Sequence, residues 1–145
     1  MPTYACWSTA GTIPVEAREQ VVRALTEIHH EVALAPRYFV QVVFHDLTPG
    51  AIYIAGQLAE PGHVWIRADI RAGRTDDQKK EMLRRITTEV GQIVGAPPEE
   101  IWVYIDDIPG GNIAEYGRPL PDPGEEDSWF AALPADLQER LDPLR

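Results

Sequence analysis

The chain has 145 residues, a formal net charge of −10 at pH 7 and 44% apolar residues, which fits one globular domain with one core. An acidic chain without a basic run is a poor partner for nucleic acid or an anionic membrane surface. No apolar stretch approaches the roughly 18 residues that cross a bilayer, and the N-terminus lacks the layout of a signal peptide. The single cysteine, Cys6, excludes an internal disulfide. We therefore expect a cytoplasmic protein without nucleic-acid or membrane partners.

The first half of the chain predicts a strand, a helix and a second strand. Residues 2–8 are rich in β-prone side chains, and a helix is predicted from about Pro14 to Leu34, where Pro36 follows. Residues 38–44 give a strong strand signal. The apolar face of the helix repeats every 3.6 residues and comprises Val21, Ala24, Leu25, Ile28 and Val32.

The second half repeats this order of elements. Residues 64–70 alternate as a strand does, and Thr75 with Gln78 forms a capping-box signature before a helix that runs to about Val94. Gly95 and two prolines end that helix, and residues 101–105 predict the closing strand. A further short strand is predicted over residues 51–56.

This order predicts an α/β fold of two fused β-α-β units, over residues 1–60 and 61–118. Each helix is long enough to return the chain to a parallel neighbouring strand, so we expect a four-stranded sheet with two helices on one face. Residues 119–145 form a proline-rich, acidic tail with exposed aromatic and leucine residues. Such a tail is expected to pack on its own domain or on a neighbouring subunit.

The motifs of the common cofactor and metal enzymes are missing from the sequence. There is no phosphate-binding glycine loop, no Gly-x-Ser-x-Gly, no Cys-x-x-Cys and no His-x-x-x-His pair. His29 and His30 are adjacent on a helix and therefore point in different directions. We therefore expect neither a metal nor a nucleotide cofactor.

The remaining candidates for chemistry are isolated residues, and each of them also fits a purely structural role. Pro2 would carry a secondary amine that titrates near neutral pH if Met1 were removed, although Met-Pro is also a common start. Arg71 and Arg74 flank a turn at a helix N-terminus, where they could grip a carboxylate or form ordinary surface ion pairs. His29 lies beside the apolar helix face.

Tyr104 and Glu115 complete the set of candidates. Tyr104 lies in the last predicted strand, and Glu115 follows a glycine-rich turn. A carboxylate beside a phenol and two arginines could polarise a water molecule, but Glu115 alone could equally be a surface carboxylate.

Together these residues make the chain resemble the cis-3-chloroacrylic acid dehalogenase family of the tautomerase superfamily. The resemblance extends from the N-terminus to Trp129 and Phe130. The segments that carry it are Pro2-x-Tyr4, Thr26-x-x-His29, Val40-Gln41-Val42, Arg71-x-Gly73-Arg74, Ile101-Trp102-Val103-Tyr104 and Glu115-Tyr116-Gly117-Arg118.

The resemblance implies a homotrimer and a division of labour among these residues. Arg71, Arg74 and His29 would bind the substrate carboxylate and draw charge from a conjugated double bond. Glu115, assisted by Tyr104, would activate water for attack on C3.

Arg71 and Arg74 would disfavour a charged Pro2 and Glu115 would favour it; we expect Pro2 to be mainly protonated at pH 7 and to deliver a proton to C2. The substrate would be a small unsaturated carboxylate: 3-chloroacrylate would give malonate semialdehyde and chloride, propiolate would give the enol of the same product, and decarboxylation could yield acetaldehyde. Ala33, Ala35 and Phe39 depart from the well-studied dehalogenase and resemble homologues of low efficiency.

Two other interpretations stay open at this point. A keto–enol tautomerase would use a neutral Pro2 as general base and act on a 2-keto or 2-hydroxydienoate acid. A non-catalytic oligomeric binding protein could retain Met1, which would block the amine of Pro2.

Overall fold

A computed structural model describes residues 2–145. Its main sheet contains β1 (Thr3–Thr9), β2 (Gln41–Leu47), β5 (Val64–Arg71) and β6 (Ile101–Ile108). The strand order is β2-β1-β5-β6, with both outer pairs parallel and the central β1–β5 pair antiparallel. The expected α/β fold with a four-stranded sheet is confirmed. The expected removal of Met1 concerns a residue outside the described part.

The two long helices connect the parallel strand pairs, α1 (Val15–Ala33) within β1–β2 and α2 (Asp76–Val94) within β5–β6. Pro14 precedes the first turn of α1 as its N-cap residue. At the start of α2, Thr75 accepts a hydrogen bond from the Gln78 amide and donates its own backbone N–H to the Gln78 side chain, so the predicted capping box is confirmed. Gly95 ends this helix in the left-handed conformation, with φ of +73°.

The main core lies between the sheet and the two helices. Alternate side chains of the two central strands are buried in this core, for example Tyr4 and Cys6 of β1 and Ile66 and Ile70 of β5. The helices contribute residues at helical spacing, and these are Val21, Leu25 and Ile28 of α1 and Met82, Ile86 and Val90 of α2. Burial raises the pKa of the Cys6 thiol to about 12, so this cysteine is a neutral core residue.

Two of the predicted strands differ from the structure. Residues 37–39 form a 3₁₀ turn, and β2 begins only at Gln41, because Tyr38 and Phe39 turn away from the sheet to pack against the tail. The strand predicted over residues 51–56 is a small hairpin of β3 (Tyr53–Ile54) and β4 (Gln57–Leu58).

The C-terminal region forms a second apolar cluster. After a short hairpin of β7 (Ala114–Glu115) and β8 (Arg118–Pro119) come two short helices, α3 (Glu126–Ala131) and α4 (Ala135–Leu141). The buried members of this second cluster are Ala35, Tyr38, Phe39, Leu120, Trp129, Phe130, Leu133 and Leu141. The tail therefore packs on the segment that links α1 to β2.

The sheet face opposite the helices carries a band of aromatic side chains. Trp7 stacks between His45 and Trp65, with ring centroids 4.7 and 4.6 Å away, and Tyr104 meets Trp65 edge-on at 5.6 Å. Trp102 and Tyr104 are 40% and 54% exposed on this face. Large apolar groups left open to solvent mark a surface that another chain covers in many proteins.

Candidate functional site

Two arginines lie at the end of β5. Arg71 is the last residue of the strand and is 2% exposed, while Arg74 follows one turn later, directly before the N-cap residue of α2. Between them, Gly73 has φ of +113°, and a Cβ there would lie 2.8 Å from the Pro123 ring. The tail therefore sits directly on the turn that presents both guanidinium groups.

The buried Arg71 uses two of its three nitrogens within the protein. Nη1 donates to the Pro121 carbonyl over 2.6 Å, and Nη2 donates to Glu126 Oε1 over 2.5 Å. Its Nε is buried and finds no hydrogen-bond partner among residues 2–145, and the same holds for Nε of Arg74. Burial, followed by the charge of Arg71, lowers the pKa of Arg74.

His29 lies in the last part of α1 and is 1% exposed. Its Nδ1 is 2.9 Å from the Tyr4 hydroxyl, and its Nε2 is a further buried nitrogen with no partner in the described chain. Burial and the charges of Arg74 and Arg71 lower the pKa of His29 to about 3, so the imidazole is neutral at pH 7. Since burial also raises the pKa of the Tyr4 hydroxyl, that group remains a phenol.

The charges of Arg74 and Arg71 act on the pKa of His29, and the charge of Arg71 acts on that of Arg74, so the three side chains lie near one another. Each contributes one buried nitrogen that has no partner within residues 2–145, and buried polar atoms of this kind are uncommon in folded proteins. Two guanidinium groups provide N–H donors, and a neutral imidazole provides one if Nε2 is protonated. This arrangement suits an anion that accepts several hydrogen bonds.

Glu115 lines a cavity of about 570 Å³ beside the first two strands. Its walls are Thr3, Tyr38, Phe39, Val40, Gln41, Ile113, Ala114, Glu115 and Tyr116. Pro2 is buried and adjoins two residues of this wall: it directly precedes Thr3, and its carbonyl accepts the Gln41 amide over 3.0 Å. Pro2 and Glu115 therefore border the same region of the molecule.

Tyr104 lies elsewhere in the single chain. Its side chain is on the open sheet face and lines a separate cavity of about 300 Å³ with Trp65, Trp102 and the β3–β4 hairpin. Glu115, by contrast, lies in the β7–β8 hairpin. Tyr104 and Glu115 therefore line different cavities of the single chain.

One residue of this region was not anticipated from the sequence. Glu126 is the carboxylate partner of Arg71, although the two are 55 positions apart. No local pattern marks it, since the sequence presents it as one of several carboxylates in an acidic tail.

Two negative findings apply to residues 2–145. No group of three His, Cys, Asp or Glu side chains is placed to hold a metal ion. None of the helices in this part of the chain is both long and apolar enough to pass through a bilayer.

Comparisons with known proteins identify the family. A family model described as "Putative oxalocrotonate tautomerase enzyme" matches residues 1–132. The crystal structure of N1, a member of the cis-3-chloroacrylic acid dehalogenase family, is 52% identical, with 98% of this chain and 99% of that chain covered and a TM-score of 0.95. A "fused 4-OT wild type asymmetric trimer" is 26% identical, with 81% and 94% covered and a TM-score of 0.73.

Among curated proteins, a "Probable tautomerase" of Streptococcus agalactiae is 38% identical over 54 residues, which is 37% of this chain and 90% of that protein. The small relative therefore corresponds to about one of the two β-α-β units in length. The match of the family model over most of the chain and the similarity to N1 over almost all of it agree with each other. The chain belongs to the tautomerase superfamily and, within it, to the cis-3-chloroacrylic acid dehalogenase family.

Proposed function

We propose that the protein is a cofactor-free hydratase and dehalogenase of small unsaturated carboxylic acids such as 3-chloroacrylate and propiolate. The observation that carries this proposal is a group of three buried nitrogens that have no hydrogen-bond partner in the described part of the chain, namely His29 Nε2, Arg71 Nε and Arg74 Nε. A carboxylate would satisfy all three and would offset the cost of burying two cations.

Binding would use His29 as a neutral donor. The Tyr4 phenol remains protonated and is 2.9 Å from His29 Nδ1, so we assign the hydroxyl as donor to Nδ1 and the ring proton to Nε2. One carboxylate then accepts hydrogen bonds from His29 Nε2–H, Arg71 Nε–H and Arg74 Nε–H. The two guanidinium charges stabilise negative charge that develops on the carboxylate during addition to the double bond.

The chemical step would involve Glu115 and Pro2. Polarisation by the arginines makes C3 electrophilic, Glu115 removes a proton from water, and the water oxygen bonds to C3. Pro2, freed by removal of Met1 and protonated, delivers a proton to C2. The assignment is supported by Glu115 in the wall of the cavity and by Pro2 next to two other wall residues, Thr3 and Gln41.

The products follow from the balance of atoms. Water and 3-chloroacrylate give 3-chloro-3-hydroxypropanoate, which loses chloride and a proton to form malonate semialdehyde. Water and propiolate give the enol of the same aldehyde. A subsequent loss of CO₂ would yield acetaldehyde.

A homotrimer belongs to this proposal. The fused 4-OT neighbour is described as a trimer, and the band around Trp7, Trp65 and Trp102 is an open surface that a second copy would cover. The exposed Tyr104 lies in that band, so a neighbouring copy would supply it to Glu115.

The second candidate is a keto–enol tautomerase, which the description of the Streptococcus agalactiae relative favours. Pro2 would then act as a base and would have to be neutral at pH 7. The two reactions differ in the role of Glu115, which hydration needs to activate water.

The test is incubation of protein without Met1 with cis-3-chloroacrylate, its trans isomer and propiolate, followed by proton NMR. We expect malonate semialdehyde or acetaldehyde from the unmodified protein and none from Pro2→Ala or Glu115→Gln. No turnover of any of the three acids by a folded trimer with free Pro2 would refute hydration and favour tautomerisation.

A further inference from the structure

The C-terminal tail brings a carboxylate of its own to the candidate anion site. Arg71 is among the largest fully buried side chains, with 1% of its side chain exposed, and its charged partner Glu126 is 18% exposed. Both terminal nitrogens of Arg71 are held by the tail, one by Glu126 and one by the Pro121 carbonyl. Of the three guanidinium nitrogens, Nε is the one that makes no hydrogen bond within residues 2–145.

Glu126 is itself fixed on both sides. Its second oxygen, Oε2, accepts the Gly124 backbone N–H over 2.8 Å. Burial alone would raise the pKa of Glu126, but the hydrogen bonds from Arg71 and from backbone N–H groups outweigh it and lower that pKa. The group is therefore an ionised carboxylate at neutral pH, held in one orientation toward Arg71.

The same segment also fixes the turn between the two arginines. The Pro123 ring fills the space where a Cβ of Gly73 would lie, at 2.8 Å, and on the other side Gly110 leaves room for Arg71 Cδ, 3.4 Å from a Cβ placed there. Arg71 is thus enclosed by Gly110, Pro121 and Glu126. Further along α3, Trp129 packs on Phe39 with ring centroids 5.1 Å apart, which anchors the segment.

Charge gives Glu126 a second effect. Arg71 lowers the pKa of Arg74, and Glu126 acts in the opposite direction. Two neighbouring buried guanidinium groups repel each other, so a fixed carboxylate beside one of them reduces the cost of holding both. With Glu126 in place, the arginine pair carries about one net positive charge, which matches a single carboxylate.

From these contacts we propose that Glu126 is the positioning residue of the site: it holds Arg71 so that Nε, together with Arg74 and His29, faces the bound carboxylate. Glu126 acts through Arg71 and makes no contact with the ligand. This inference rests on the proposed function for the identity of the ligand as a monocarboxylate. It assigns the tail a role in binding beyond its apolar packing.

The experiment compares Glu126→Ala, Glu126→Gln and the matched control Asp127→Asn. Asp127 is the next residue of α3 and pairs with Arg145 at the surface. Isothermal titration calorimetry with propionate, which has no double bond to hydrate, measures binding without turnover. Tryptophan fluorescence and thermal melts establish that each variant is folded.

We expect Glu126→Ala to weaken propionate binding by about tenfold or more, because Arg71 then loses the carboxylate that fixes its orientation toward the ligand. Glu126→Gln keeps an oxygen that accepts from Nη2 and should stay within about threefold of the unmodified protein. Asp127→Asn should bind like the unmodified protein. In Glu126→Ala, low concentrations of formate should improve kcat/KM before they inhibit, whereas the unmodified protein should only be inhibited.

The proposal is overturned if Glu126→Ala binds propionate within twofold of the unmodified protein, or if Glu126→Gln is as weak as Glu126→Ala. Unmodified protein that fails to bind propionate would overturn both this inference and the proposed function. Unmodified protein that binds propionate but hydrates none of the acids would refute the hydratase alone, and the ratios between variants would still decide the role of Glu126.

Discussion

The neutral, buried His29 predicts a specific loss of stability in mild acid. The pKa of its imidazole is lowered from 6.5 to about 3 in the folded chain, so the unfolded state binds more protons between these two values. Stability that His29 contributes is therefore fully present above pH 6.5 and is lost as the pH falls toward 3. Between pH 7 and pH 5 this difference in proton binding lowers the free energy of unfolding by about 2 kcal/mol.

The size of this effect at pH 5 hardly depends on the folded-state pKa, provided that it lies below about 4. The assay is urea unfolding at pH 7 and pH 5 of the unmodified protein and of His29→Asn, at one protein concentration. Asparagine can still accept from the Tyr4 hydroxyl but does not titrate. Other groups contribute equally to both proteins and cancel in the comparison.

We expect the stability advantage of the unmodified protein over His29→Asn to shrink by about 2 kcal/mol between pH 7 and pH 5. An advantage that is the same at both pH values would refute the reasoning. It would show that His29 titrates normally in the folded protein and that the arginines do not act on it.

Three further variants test other parts of the account. Thr75→Ala removes the capping box of α2 and should cost about 1 kcal/mol in urea unfolding, and no change would refute the cap's contribution. Gly73→Ala forces a side chain at φ of +113° against Pro123, so it should cost about 2 kcal/mol and make the tail more sensitive to protease; unchanged cleavage would contradict the close contact. Tyr104→Phe removes only the hydroxyl and should change the melting temperature little, yet lower kcat for hydration about tenfold if a neighbouring copy uses the hydroxyl; an unchanged kcat would exclude that role.

The parts of the fold that depend on local patterns could be predicted from the sequence. The capping box of Thr75 and Gln78 and the left-handed end at Gly95 involve residues within four positions of each other, so the sequence contains all of the information. The alternation of β5 and the helical period of α1 follow from which side faces the core. The order of strand, helix and strand in each half predicts that the outer strands pair in parallel with their neighbours.

Long-range packing explains what could not be predicted. Tyr38 and Phe39 have strong β-propensity, but they pack in the C-terminal apolar cluster, and β2 therefore begins only at Gln41. The partnership of Arg71 with Glu126 joins residues 55 positions apart, with no periodicity to mark it. Tyr104 and Glu115 are close in sequence, yet they belong to different surfaces of the chain.

The central chemical claim is that Pro2 acts as an acid, and its protonation state tests this claim most directly. The measurement is a nitrogen-15 NMR titration of protein without Met1, with label in proline, and Pro2→Ala identifies the signal. The hydratase account predicts a titration midpoint above pH 7, with the amine mostly protonated at neutral pH. A midpoint well below pH 7 would contradict it and would make Pro2 the base of a tautomerase.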